Sequence, residues 1–303
     1  MNHSSALHNR RRRNTAVAAT IFLLPAFAFI IVFIAYPIIE SFSLSLTSWN
    51  GIDAVKQFVG LDNWKTLATD GVFYKALLNN LVIMVLSILI QLPIAMALAL
   101  LLDFGGKKLN ILKVIYFLPM LMSSVAIGFL FKYVYDPQFG IFSAIAQLFG
   151  QSVMVDLLGS PIAALYGVIA VICWQFIPFY MVFFLAGLSS LPEEVFEASI
   201  IDGATRGQYF WRVALPMMSG TVKSAVILSL IGSLKYFDLI FVLTGGGPDD
   251  ATQLMATYMY KNAFQIQKMS YGATIASALF VIITVISLIA IRLMNGKKEA
   301  DGI

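Results

Sequence analysis

The chain predicts an all-α polytopic membrane protein with six transmembrane helices, and three observations carry that prediction. Its 303 residues are 59% hydrophobic and only 12% charged, against about 25% charged in ordinary soluble domains. Mean hydropathy is +0.85. The apolar residues also gather into six runs, each close to the roughly 20 residues that a helix needs to cross hydrocarbon. Runs of that length exclude a barrel, and helices satisfy their own backbone inside lipid.

In order, the runs fall near residues 16–39, 77–102, 111–134, 161–188, 222–243 and 271–293. Arg10 to Arg13 ahead of the first run imitate a signal peptide. That run is too long, however, and lacks a small-x-small cleavage pattern, so it reads as a retained anchor. Residues 1–76 are thus expected to form a cytoplasmic tail, the first span and an external loop. Residues 77–293 form a transmembrane core with a cytoplasmic loop at 189–219, and residues 294–303 a cytoplasmic tail.

Orientation follows from Lys and Arg near the span ends, because positive loops stay cytoplasmic. With the N-terminus inside, Arg10, Arg11, Arg12, Arg13, Lys107, Lys108, Lys113, Arg206, Arg212, Lys223, Arg292, Lys297 and Lys298 are cytoplasmic. Only Lys56, Lys65, Lys75, Lys132, Lys261 and Lys268 are external. Both termini are therefore expected in the cytoplasm. This topology also accounts for the net charge of +4 and the pI near 9.0 without a nucleic-acid partner.

Between the fourth and fifth runs lies a charged insert, Pro192 to Pro216. Pro192, Glu193 and Glu194 suit a helix start by backbone and charge. Val195, Phe196, Ser199 and Ile200 recur on one side until Asp202-Gly203 interrupts the pattern. Thr205 and Gln208 have capping-box spacing for a second short helix, expected to stop at Pro216.

Several chemistries lack material. The single cysteine, Cys173, lies inside a span and rules out an internal disulfide, and His3 and His8 sit in a polar tail. A zinc site or a histidine-based catalytic site therefore has nothing to be built from. Gly105-Gly106-Lys107-Lys108 and Gly296-Lys297-Lys298 both fail the Walker A pattern. ATP-powered transport would need its motor on another polypeptide.

Glu197-Ala198-Ser199, then Gly203, then Leu215-Pro216 resemble the EAA loop of ABC importer permeases, with Ser199 replacing the second alanine. The likeness extends through Leu234-Lys235-Tyr236-Phe237-Asp238, Leu243-Thr244-Gly245-Gly246-Gly247-Pro248, Thr252, Tyr258, Ala263-Phe264 and Tyr271-Gly272. It is nearest to the carbohydrate branch, of maltose and glycerol-phosphate type, over about residues 77–293. A looser match over the first span includes Pro25, Tyr36-Pro37, Ser41 and Gly60-Leu61-Asp62-Asn63-Trp64. The resemblance implies a type I importer permease fold in a bacterial plasma membrane. Glu193, Glu194, Phe196, Glu197, Ala198, Ser199, Asp202, Gly203, Leu215 and Pro216 would form the loop that docks on an ATPase. It further implies a second homologous permease, two ABC ATPase copies that bind ATP and Mg, and an extracytoplasmic solute-binding protein.

The glycines of Gly245-Gly246-Gly247-Pro248 permit backbone angles barred to other residues, and Pro248 ends any helix, so the chain turns there. The turn reads either as a connector or as a docking surface, with Asp249, Asp250 and Thr252 available to cap the next helix. Lys235 lies twelve residues beyond Lys223, about 18 Å along a helix and past the bilayer middle. At three-residue spacing, Lys235 and Asp238 form either a neutralised pair or part of a hydrated pathway. Ser123, Ser124, Gln91 and Gln175 are further polar groups inside spans, suited to interhelical hydrogen bonds or solute contacts. Tyr133, Tyr135, Trp174, Tyr180 and Tyr236 offer rings for packing, interface anchoring or sugar stacking.

The expectation is a permease subunit, not an enzyme, that translocates a carbohydrate, first an oligosaccharide. Glycerol phosphate or another polyol ester is the alternative. An ion-coupled secondary transporter would instead need an ion site and inverted repeats. An intramembrane enzyme would need paired acids or a nucleophile with a base, and Asp238 is the only acid well inside a run.

Overall fold

The computed structural model describes residues 20–105, 110–149 and 156–295. Arg10 to Arg13, Lys107, Lys108, Lys297, Lys298 and both histidines lie outside the described residues. Four helices are long and apolar enough to cross a membrane: α1 (Thr20–Ser45), α3 (Gly71–Gly105), α7 (Ala163–Ser189) and α13 (Met269–Asn295). Two bent pairs bring the possible spans to six. The first joins α4 (Asn110–Leu121) to α5 (Ser124–Val134), and the second joins α9 (Arg206–Met217) to α10 (Ser219–Leu234). Shorter helices are α2 (Asp62–Ala68), α6 (Ile141–Leu148), α8 (Glu193–Ile201), α11 (Asp238–Leu243) and α12 (Met255–Tyr260).

Two expected continuous spans are broken. The third bends by 96° between α4 and α5. Pro119 removes an amide near the end of α4, and Ser123, in extended conformation, accepts the Val125 amide to start α5 afresh. The fifth ends at Leu234, and Lys235, Tyr236 and Phe237 are not helical before α11 begins. A hydropathy window averages over such breaks, because the residues on either side stay apolar.

Close approach of backbones holds the bundle. The helix pair α3 and α7 packs along much of its length, and α10 lies against α3. Ala95 and Ala99 are wholly buried between Met181, Phe184, Ala214 and Met218; small side chains let helices approach where lipid offers no hydrophobic drive. The fit is tight at Gly128 on α5, where a Cβ would meet Val242 on α11 at 2.8 Å. A second cluster centres on Ile83, Ile127, Val168, Ile172, Ile240 and Leu254. Helix α13 packs against α1 and α12.

A two-residue ladder, Thr47–Ser48 with Gln57–Phe58, follows α1. There Asn63 donates to the Ser45 and Thr47 carbonyls at 2.9 and 2.7 Å, and the Trp64 indole donates to Ser45 Oγ at 3.0 Å. These bonds give the Asn63-Trp64 pair its structural use.

Candidate functional site

The charged insert folds as a helix–turn–helix. Pro192 is the extended cap of α8 rather than its first helical residue, and Glu193 and Glu194 fill the first turn. The helix closes with Gly203 N–H on the Ile200 carbonyl and Ala204 N–H on the Ser199 carbonyl, the paired bonds of a Schellman ending. Gly203 sits at φ +79°, a left-handed conformation that glycine adopts without penalty. The capping box is formed: Thr205 Oγ1 accepts the Gln208 amide, and Gln208 Oε1 accepts the Thr205 amide at 2.8 Å.

Pro216 does not stop the second helix, which runs to Met217. A wider π-type turn at Phe210–Ala214 sends the Leu215 amide back to Phe210, and that turn accommodates the proline that follows. The chain then bends by 71° into α10. Ile200 likewise departs from the expected inner face and is exposed, beside Ile201 at 85%. Ser199 points inward, and its hydroxyl donates to the Phe196 carbonyl at 2.6 Å.

The loop therefore has two faces. On the inner one, the Phe196 and Tyr209 rings meet edge-on at 5.0 Å, and the Arg206 guanidinium lies 5.3 Å from the Phe104 ring while donating to the Phe104 carbonyl at 3.4 Å. This clasp ties the loop to the end of α3 across a cavity of about 480 Å³. Outward stand Glu194, Glu197, Ala198, Asp202 and Gly203, with Ile200 and Ile201, while Glu193, also exposed, borders the cavity. An acidic, apolar-tipped ridge on a fixed base suits a protein partner.

Among the polar residues within spans, Ser124 and Gln175 come together: Gln175 Nε2 donates to Ser124 Oγ at 3.1 Å. Tyr236 lies against Phe176 at 5.5 Å, next along α7. Ser123 serves as a cap, Tyr135 donates to the Gly167 carbonyl, and Gln91 and Cys173 are buried. Lys235 and Asp238 are both exposed, and among the described residues the ion pairs do not include them. Lys235 follows the C-terminus of α10 and Asp238 opens α11, so each charge complements the dipole of its own helix end. The neutralised pair is therefore not formed.

At the bundle end opposite the charged loop, the Gly245-Gly246-Gly247-Pro248 turn contains a cis Gly247-Pro248 bond and two positive-φ glycines, Gly245 and Gly246. Asp249 and Asp250 do not cap α12. Instead Asp250 pairs with Lys261 at 3.0 Å, while the Thr252 hydroxyl donates to the Gly247 carbonyl at 2.7 Å. Residues 251–258 are buried.

Sequence reasoning missed the groups that hold this loop. Asn79, on α3, donates to the Ala251 and Gln253 carbonyls, both at 2.9 Å. Nearby, Asp70 caps α3 by accepting the Val72 and Phe73 amides, and it also accepts the Tyr258 and Tyr271 hydroxyls. Burial raises the Asp70 pKa, but these hydrogen bonds outweigh it and hold the carboxyl below its usual range. A lone Asp ahead of a span carries a capping signal; its two tyrosine partners, far along the chain, do not.

The family model described as binding-protein-dependent transport system inner membrane component matches residues 90–297. A putative ABC transporter permease of Caldicellulosiruptor sp. is 63% identical over 139 residues, 46% of this chain and 99% of that one. The multiple sugar-binding transport system permease MsmF of Streptococcus mutans is 33% identical over 263 residues, covering 87% and 90%. Among solved structures, a chain of a bacterial alginate ABC transporter, in complex with its alginate pentasaccharide-bound periplasmic protein, superposes with a TM-score of 0.80. It is 25% identical and covers 97% of this chain and 99% of that one.

Proposed function

This chain belongs to the inner-membrane components of binding-protein-dependent transport systems, and from that premise we propose that it is the permease subunit of an ATP-driven carbohydrate importer. It is a multi-pass membrane transport subunit and not an enzyme. The observation that carries the assignment is the two-faced loop, with its ridge of Glu194, Glu197, Ile200 and Ile201 outward and its Phe196–Tyr209 and Arg206–Phe104 contacts inward. In this reading the loop faces the cytoplasm and docks on one of two ABC ATPase subunits, which bind ATP and Mg. A second homologous permease completes the pore, and an extracytoplasmic binding protein delivers solute at the opposite end.

Carbohydrate is supported by the names of the Streptococcus and alginate relatives. The exposed Lys235 favours a second reading, a polyol phosphate, since that cation is free to meet an anion. Pull-down of the tagged chain recovers ATPase subunits, and uptake of a radiolabelled panel of sugars and glycerol phosphate in a strain lacking the chain identifies the solute. Glu197→Lys, a charge reversal on the exposed ridge, lowers uptake at least about tenfold at normal membrane abundance. Undiminished uptake with wild-type ATPase recovery in that variant would sink the docking assignment.

A further inference from the structure

Two helix ends at the bundle end opposite the charged loop share one side chain. The break after Leu234 leaves the last carbonyl of α10 without the amide that a continuing helix would supply, and α12 opens with a free Met255 amide. Asn80, wholly buried on α3, serves both: its Oδ1 accepts the Met255 amide at 2.9 Å and its Nδ2 donates to the Leu234 carbonyl at 3.4 Å. A carboxamide carries both a donor and an acceptor, which no aliphatic side chain of similar size does. On the same helix Asn79 holds two more loop carbonyls, and Lys75 donates to the Asp249 carbonyl at 2.7 Å.

We infer that Asn80 is a positioning residue for transport, the joint that couples the loop at 249–255 to the interruption at Lys235–Phe237. The inference rests on the importer reading above. The interruption separates α10 from α11 by three non-helical residues, so it is the place in this segment where rotation needs no helical hydrogen bond to break. The loop carries its own bracing, through Thr252 on the Gly247 carbonyl and Thr257 on the Leu254 amide. Beside the Thr244–Thr252 hydroxyl contact at 2.7 Å, this buried carboxamide ties the braced loop directly to the soft interruption, so that a displacement of one reaches the other. Replacing Asn80 with an apolar residue strands a carbonyl and an amide where water does not replace the partner, and the coupling between the two parts weakens.

The test uses the complex purified with the partners that accompany the chain, reconstituted in nanodiscs, with Cys173→Ser removing the only native thiol. Single cysteines go at Gly232, where a Cβ meets nothing within 4 Å, and at the exposed Asp249. Labelling by a methanethiosulfonate reagent is followed with and without trapping by ATP, Mg and vanadate. With Asn80 present, trapping changes both labelling rates about threefold or more. With Asn80→Leu, and in the same direction with the smaller Asn80→Ser, the response at 232 persists while that at 249 falls to less than a third. A response at 249 equal to that of the parent in both variants overturns the inference. So does a parallel loss of complex yield and of both responses in both variants, which makes Asn80 a fold anchor only. If ATPase accompanies the parent but position 249 never responds, the inference alone fails. If no ATPase accompanies the parent, the importer reading fails and takes the inference with it.

Discussion

Lys235 and Asp238 show how local structure changes the meaning of a spacing. Three residues apart on a continuous helix, their side chains would meet and neutralise each other. Here non-helical residues separate them, and each sits at a helix end of complementary sign. Removing one charge therefore does not strand the other, and the usual signature of a buried ion pair, rescue by the second substitution, is not expected. Lys235→Met and Asp238→Leu should have additive effects on stability, with an interaction of about 0.5 kcal/mol or less in a double-mutant cycle. Thermal unfolding of the two single variants and the double variant measures it. Recovery of stability in the double variant by a few kcal/mol would show that the charges pair after all.

Helices are defined here as much by their ends as by their lengths, and the ends differ in how far they can be read ahead. The loop helices were legible because their signals are local: two acids after Pro192, a glycine that accepts positive φ, and a Thr-x-x-Gln box. The breaks at Met122 and Lys235–Phe237 were not, since the few polar residues there, Ser123, Ser124, Lys235 and Asp238, sit in runs that stay apolar on average and carry no helix-stop signal of their own. Asn80 was illegible for another reason, as its partners lie 154 and 175 residues away. Asp70 stands between these cases, with its cap local and its tyrosines remote. Asp70→Asn keeps an oxygen for the two amides but no longer accepts both hydroxyls, and should cost about 2 kcal/mol at neutral pH. The sign of its pH dependence is fixed: a carboxyl held below its usual value of 3.8 stabilises the fold fully above that value and loses this contribution as pH falls through the lowered one. Melting curves of parent and variant in detergent should converge in acid; a gap unchanged down to pH near 3 would refute the role given to Asp70.

The molecule as a whole divides into two dissimilar ends joined by α3. One end carries the Pro192–Pro216 loop, clasped to the close of α3 through Arg206 and Phe104. At the other, Lys75, Asn79 and Asn80 on the opening turns of α3 hold the 249–255 loop. Helix α3 spans Gly71 to Gly105, about 50 Å at helical rise, enough to cross hydrocarbon with turns to spare on each side. Such a polarised body needs a fixed orientation, and we propose, from the Lys and Arg bias, the one with the Pro192–Pro216 end in the cytoplasm. Gln208 and Gln57 test that orientation well, because both are exposed and they lie on opposite sides of the assigned membrane. In intact cells a cysteine at Gln208 should resist a membrane-impermeant thiol reagent and react only after permeabilisation, whereas one at Gln57, in the ladder after α1, should react at once. Labelling of position 208 from outside would invert the molecule, and with it every role that depends on which end meets the ATPase.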